Sequence, residues 1–295
     1  MKKVFLIINP HSGKYKSQSM LFDIISTMSD YDCVVTTRIT NRQGDARAFA
    51  LDACTNGDYD LVVCSGGDGT LNETVDGVYT SGKAIPIGYI PSGSTNDYAR
   101  SLGISSDYKE ATVRCIVGEP HTLDIGKMDD RHFNYIASFG MFTSVSYSTP
   151  QSLKKLLGHM AYVMAGMKDI TKIKSTHARF TYDGNVLEGD YIFGAIANTT
   201  SIGGVVHLKD NLVEFNDGLF EVCLVKMPRN PADLMKITVG ALSSDFSSEC
   251  FEYCKVKTAK IEFDDEIAWS LDGEKHITGS DVCVDVIPNA VTIML

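Results

Sequence analysis

The chain has 295 residues, is 44% hydrophobic and 22% charged, and carries a formal net charge of −10. A length about twice that of a typical domain suits two compact domains or one large α/β unit, and no run approaches the roughly 18 apolar residues of a spanning helix. The acidic balance argues against nucleic-acid binding, which needs a basic surface, and the eight cysteines, without zinc-site spacing, suit reduced thiols in a soluble, cytoplasmic protein.

Met1-Lys2-Lys3 and the apolar residues 4–8 are stopped by Asn9-Pro10, so this start reads as a buried first strand and not as a signal peptide. Strand-like runs follow at 33–37, 61–64 and 85–90, alternating with helical periodicity over 19–28 and 45–54. Such alternation predicts right-handed crossovers in a parallel sheet, so residues 1–125 read as a doubly wound α/β nucleotide-binding domain. Beyond it come short β-rich runs at 133–139, 178–182, 191–197, 219–225, 255–263 and 282–286, with helical patterns at 153–170 and 231–241. Turn signals at Asp183-Gly184-Asn185 and Asn216-Asp217-Gly218 separate several of them. Residues 126–285 therefore read as a β-sandwich-like substrate domain, with 286–295 available to complete the first.

Gly66-Gly67-Asp68-Gly69-Thr70 follows an apolar strand and precedes a helix-compatible run beginning near Leu71. Glycines let a backbone approach a phosphate, and a helix N-terminus aims N–H groups at it. An acid inside such a loop makes sense with magnesium between it and the phosphates. A second loop, Pro91-Ser92-Gly93-Ser94-Thr95-Asn96-Asp97-Tyr98-Ala99-Arg100, offers hydroxyls, an amide and another carboxylate at the next strand's end. A third, Asn9-Pro10-His11-Ser12-Gly13-Lys14, lacks P-loop spacing, which disfavours a Walker-type NTPase. Leu271-Asp272-Gly273-Glu274, beside the sole tryptophan Trp269, adds two acids, either of which could take a proton from an attacking hydroxyl.

With these motifs on one chain, the sequence resembles the bacterial diacylglycerol kinase family, whose catalytic domain is shared with sphingosine and ceramide kinases. Asp124-Ile125-Gly126 and Asn216-Asp217-Gly218 extend the likeness nearly end to end. The resemblance implies an ATP- and magnesium-dependent lipid kinase, with diacylglycerol as the leading acceptor. It assigns ATP contacts to Asn9, Pro10, His11, Ser12, Gly13, Thr40, Gly66, Gly67, Asp68, Gly69, Thr70, Leu71, Asn72 and Thr95, with Asn96 in the same loop. It sets Asp68 near the catalytic magnesium, Asp97 and Asp124 in a supporting acidic network, and Asp272 as proton acceptor with Glu274 as the alternative. It also implies a second, structural magnesium on Asp217 and the carbonyls of Glu214 and Leu219, the alternative being a metal-free type I′ hairpin turn. Ser201-Ile202-Gly203-Gly204 looks like the family's substrate-lining Gly-Gly stretch.

The Gly-Gly-Asp loop is shared with NAD kinases and phosphofructokinases, so an NAD kinase is the nearest rival, and a catalytically silent lipid- or nucleotide-binding regulator is another. Between residues 151 and 180 six basic residues face one acid, a local charge of +5 suited to transient contact with an anionic membrane surface. Leu156, Leu157, Met160, Val163, Met164 and Met167 recur there at helical spacing and suit a lipid entrance or, equally, a core-facing helix. A homodimer is compatible with the sequence and has no signature in it.

Overall fold

The computed structural model describes residues 1–13, 16–94, 96–140, 173–202, 206–207 and 213–295. The chain divides into two compact units, Met1–Asp124 with Asn289–Leu295, and Ile125–Pro288.

The first unit contains β1 (Lys2–Ile8), α1 (Lys16–Asp30), β2 (Cys33–Ile39), α2 (Asp45–Asn56), β3 (Leu61–Gly66), α3 (Asp68–Thr80), β4 (Ile87–Pro91), α4 (Asp97–Ser101) and α5 (Tyr108–Val117). The strands pair in parallel in the order β2-β1-β3-β4. The end of β17 (Asp281–Met294) continues the sheet, Ile293 lying parallel to Ile87 of β4. Val4, Leu6, Leu61, Val62, Val63, Ile87 and Ile90 are fully buried. Strands covered on both faces carry no alternation, which is why they read as unbroken apolar runs. With β1 between β2 and β3, the strand order reverses there, and ligand-binding loops of such sheets gather at that point.

Helix α3 starts at Asp68, one turn earlier than the sequence pattern suggests, because Leu71 N–H already closes a bond to Gly67 O at 3.1 Å. Its Glu73 caps the neighbouring helix: the N–H groups of Gly44 and Ala46 at the start of α2 donate to Glu73 Oε1 and Oε2 at 2.8 and 3.1 Å. Gly44 has no side chain to do so, and the charge complements the helix dipole.

The second unit is antiparallel. It contains β6 (Arg131–Phe133), β7 (Ile136–Gly140), β8 (Thr176–Tyr182), β9 (Asn185–Ala197), β10 (Ser201–Ile202), β11 (Val206–His207), β12 (Phe220–Lys226), α6 (Pro231–Ser243), β13 (Phe251–Val256), β14 (Thr258–Phe263), β15 (Ile267–Leu271) and β16 (Glu274–Thr278). Strand β5 (Pro120–Met128), like β17, crosses the division of the chain. The long β9 pairs with β8 through its first half and with β7 and β12 through its second. One face carries a core of Phe133, Phe139, Phe180, Phe220 and Trp269. A smaller cluster joins Cys223, Val225 and Phe251 to Leu234 and Ile237 of α6.

The Asp183-Gly184 turn is a two-residue hairpin, with φ of 45° and 78° as a type I′ turn requires. The expected strand at 133–139 is broken at Asn134 and Tyr135, and that at 255–263 at Lys257. The helix expected at 153–170 lies outside the described residues. Among the described residues no helix is long and apolar enough to cross a membrane.

Candidate active site

In the first unit the three loops meet backbone to backbone. Asn9 N–H donates to Ser65 O at 2.9 Å, Ser92 N–H to Gly66 O at 2.8 Å, and the Ser12 and Ser92 hydroxyls lie 2.6 Å apart. A Cβ on Gly93 would stand 2.7 Å from Gly67 Cα, and one on Gly13 would collide with Ser92 O. Gly13 and Gly93 are therefore required by loop-on-loop contact, whatever the loops also bind, and a Cβ on Gly67 would be tight against Gly93 at 3.3 Å.

Polar side chains brace this assembly. Asn9 Nδ2 donates to Thr70 Oγ1 at 2.9 Å and its Oδ1 accepts from His11 N–H at 3.0 Å. The Thr40 N–H and hydroxyl both donate to Ile8 O at the end of β1. Asn96, in the left-handed region at φ 50°, uses both ends of its amide on Gly93, at 2.9 and 3.0 Å. It fixes the loop. The Leu71 side chain is fully buried and its N–H donates to Gly67 O, so it anchors the start of α3. Pro10, Gly69 and Asn72 are half-buried and His11 is exposed, while Thr95 lies outside the described residues.

Asp68 sits where the loops converge, its Oδ2 and Oδ1 accepting from the N–H groups of Asp97 and Tyr98 at 3.1 and 3.3 Å. Burial raises the Asp68 carboxyl, and those N–H groups oppose the shift. Burial, with the charge of Asp68 added, pushes Asp97 up to about 7, and Arg100 works against it. Asp97 is 4% exposed, and its Oδ1 has no hydrogen-bond partner. Arg100 Nη1 lies 3.6 Å from that oxygen, and a buried carboxyl oxygen without a hydrogen bond, beside a second carboxylate, fits a hydrated cation carried on phosphates, the usual mode for magnesium. Among the described residues no three His, Cys, Asp or Glu side chains gather round one point. Asp124 is fully buried and its Oδ1 accepts from Asn289 N–H at 2.7 Å. A cavity of about 420 Å³ opens beside the 91–97 loop, between Met20, Gly93, Asn96 and Tyr108.

In the second unit Asp272 and Gly273 form the two-residue turn between β15 and β16, with φ of 48° and 90°. Asp272 is 4% exposed and folds back: Oδ2 accepts from Asn134 N–H at 2.5 Å, and Oδ1 from Tyr135 and Ile136 N–H at 3.0 and 2.9 Å. That grip breaks the strand expected at 133–139, because these N–H groups turn to the carboxylate. Asn134 and Tyr135 were not singled out in the sequence, where they sit inside an ordinary β-rich run. Glu274 instead pairs with Arg131 at 3.3 Å, near the surface.

The structural magnesium assigned to Glu214, Asp217 and Leu219 does not fit the residues present. Asp217 Oδ1 accepts from Leu219 N–H at 2.9 Å and Oδ2 is ion-paired with Lys255 Nζ at 2.9 Å. Lys255 also reaches the buried Glu221 at 3.2 Å. A cation on Asp217 would meet an ammonium already in place. Nor is this a type I′ turn, since only Gly218 has positive φ. Gly203 and Gly204 lie outside the described residues.

The "Diacylglycerol kinase catalytic domain" family matches residues 3–128, and the "YegS C-terminal NAD kinase beta sandwich-like domain" family matches residues 136–295. A diacylglycerol kinase of Bacillus subtilis (strain 168) is 31% identical over 276 residues, 93% of this chain and 90% of its own. One of Staphylococcus haemolyticus (strain JCSC1435) is 33% identical over 270 residues, 91% and 81%. Among solved structures, a chain from Bacillus anthracis str. Sterne described as a diacylglycerol kinase has a TM-score of 0.77 at 22% identity, covering 99% of this chain and 96% of that one. A mixed α/β fold with a β-sandwich-like second half, two family matches in chain order and relatives aligned over most of their length place this chain in the diacylglycerol kinase family of lipid kinases.

Proposed function

We propose that this enzyme transfers the γ-phosphoryl group of ATP to the free hydroxyl of diacylglycerol, giving phosphatidic acid. The observation that carries the ATP half is the Asp68–Asp97 pair under three converging loops, with the buried Asp97 Oδ1 lacking a hydrogen bond and only Arg100 Nη1 near it, at 3.6 Å. Magnesium bound with ATP would neutralise charge developing on the phosphoryl oxygens. The N–H groups at the start of α3, residues 67–70, would cradle the polyphosphate, and Asp68 and Asp97 would face the cation's water shell. Their fixed backbone supplies pre-organisation, which phosphoryl transfer chiefly needs.

Asp272 is assigned the proton acceptor's role. Its three N–H donors hold the carboxylate in one orientation, and a carboxylate so held can accept a hydroxyl proton. Diacylglycerol is favoured as acceptor because the aligned relatives carry that name over most of their length.

The test is phosphate transfer from labelled ATP to diacylglycerol in mixed micelles, with the parent and Asp272→Asn compared. Asn keeps the size and tolerates the turn's positive φ, so turnover should fall about 10²–10⁴-fold with ATP binding retained. Transfer to NAD in lipid-free buffer, with none to diacylglycerol, would reject the lipid acceptor.

A further inference from the structure

Asn134 is 2% exposed, and neither its Oδ1 nor its Nδ2 has a hydrogen-bond partner. Buried amides are ordinarily bonded, because an unpaired donor or acceptor has given up water without replacement. Asn134 leaves both ends of its amide in that condition. Its own N–H donates to Asp272 Oδ2 at 2.5 Å, and covalent geometry then keeps the carboxamide within about 7 Å of that oxygen. Asp272 is followed by an exposed turn residue, Gly273.

The fold does not call for an amide here. The backbone, and not the side chain, makes the bond to Asp272, and Phe133 and Ile136 on either side are buried in the core. An alkyl side chain of the same size would pack without unmet polar atoms. Polar groups kept at such a cost to stability gather where a ligand completes them. A carboxamide offers two donors and one acceptor, and an alcohol is both donor and acceptor, so the two are matched.

We propose that Asn134 is an acceptor-binding residue: its carboxamide pairs with the hydroxyl of the incoming lipid alcohol and holds that oxygen toward Asp272. This rests on the lipid-kinase reading above.

The experiment compares the parent with Asn134→Leu and Asn134→Ala, measuring Tm without substrate, KM for ATP, and kcat/KM for diacylglycerol in mixed micelles. Removing an unmet amide should leave Tm unchanged or raise it, for Leu by about 2 °C or more. KM for ATP should stay within about twofold while kcat/KM for diacylglycerol falls about 10- to 100-fold. A merely structural amide would move Tm the other way, so a fall in Tm in both variants with matching losses for both substrates overturns the proposal. Equal kcat/KM for diacylglycerol in parent and Asn134→Leu overturns it too, with the lipid-kinase reading intact. A parent that phosphorylates no diacylglycerol rejects both.

Discussion

Asp97 keeps its proton into the neutral range because burial and the charge of Asp68 both disfavour its anion. An acid whose pKa rises on folding, here from 3.8 to about 7, stabilises the fold while protonated. That contribution is complete below the unfolded value and lost as pH climbs through the folded one. In buffer free of divalent cations, Asp97→Asn should flatten the decline of Tm between 3.8 and about 7 and be the more stable protein above it. Calorimetric scans across that range check this, and parallel Tm curves for the two proteins would contradict it. The glycine-rich loops were legible as residues because glycine and acid together after a strand are unusual, yet their pairing was not. That Gly93 presses on Gly67, and that Asn96 locks its own loop, depends on contacts between segments far apart in the chain. Asn134 was invisible for a related reason: its neighbour Asp272 lies 138 residues away.

At the level of elements, the buried parallel strands were the easiest to read, since β1, β3 and β4 carry the unbroken apolar runs 4–8, 61–64 and 87–90. Periodicity failed where a side chain from elsewhere claims backbone N–H groups, as Asp272 does between β6 and β7. It also missed β15 and β16, whose turn looks like a motif before it looks like a hairpin. The ribbon of β12 and β13 carries a further consequence, because Glu221 and Lys255 are cross-strand partners and Asp217 joins them. Lys255→Met would leave a buried carboxylate and a half-buried one without their cation. Breaking such a group should cost on the order of 3 kcal/mol, the low end for a buried pair since Lys255 is partly exposed. Urea denaturation measures it. A saturable rise in the parent's Tm on adding magnesium without ATP, abolished in Asp217→Asn, would show instead that a metal competes with Lys255 there.

For the whole molecule, a body of net charge −10 should be repelled by an anionic bilayer, while the stretch 151–180, most of it outside the described residues, has the opposite sign. Each Lys near such a surface is worth about 1 kcal/mol, so replacing Lys154, Lys155, Lys168 and Lys172 with Glu should weaken binding to anionic vesicles at least about 100-fold. Co-sedimentation tests this, with KM for ATP expected to hold; unchanged vesicle binding would exclude that segment as the contact. The division of the chain has a different consequence. Asp124 and Asn289 both belong to the first unit and are hydrogen-bonded, so the 125–288 unit is an insertion between two neighbouring residues. On the ribosome, the nucleotide-binding unit cannot finish when its first 124 residues have emerged: β4 lacks its outer neighbour, and the Asn289–Asp124 hydrogen bond cannot form, until 289–295 follow. An unpaired sheet edge is a template for mispairing, so the interval in which the insertion is being translated is when this chain depends most on chaperones.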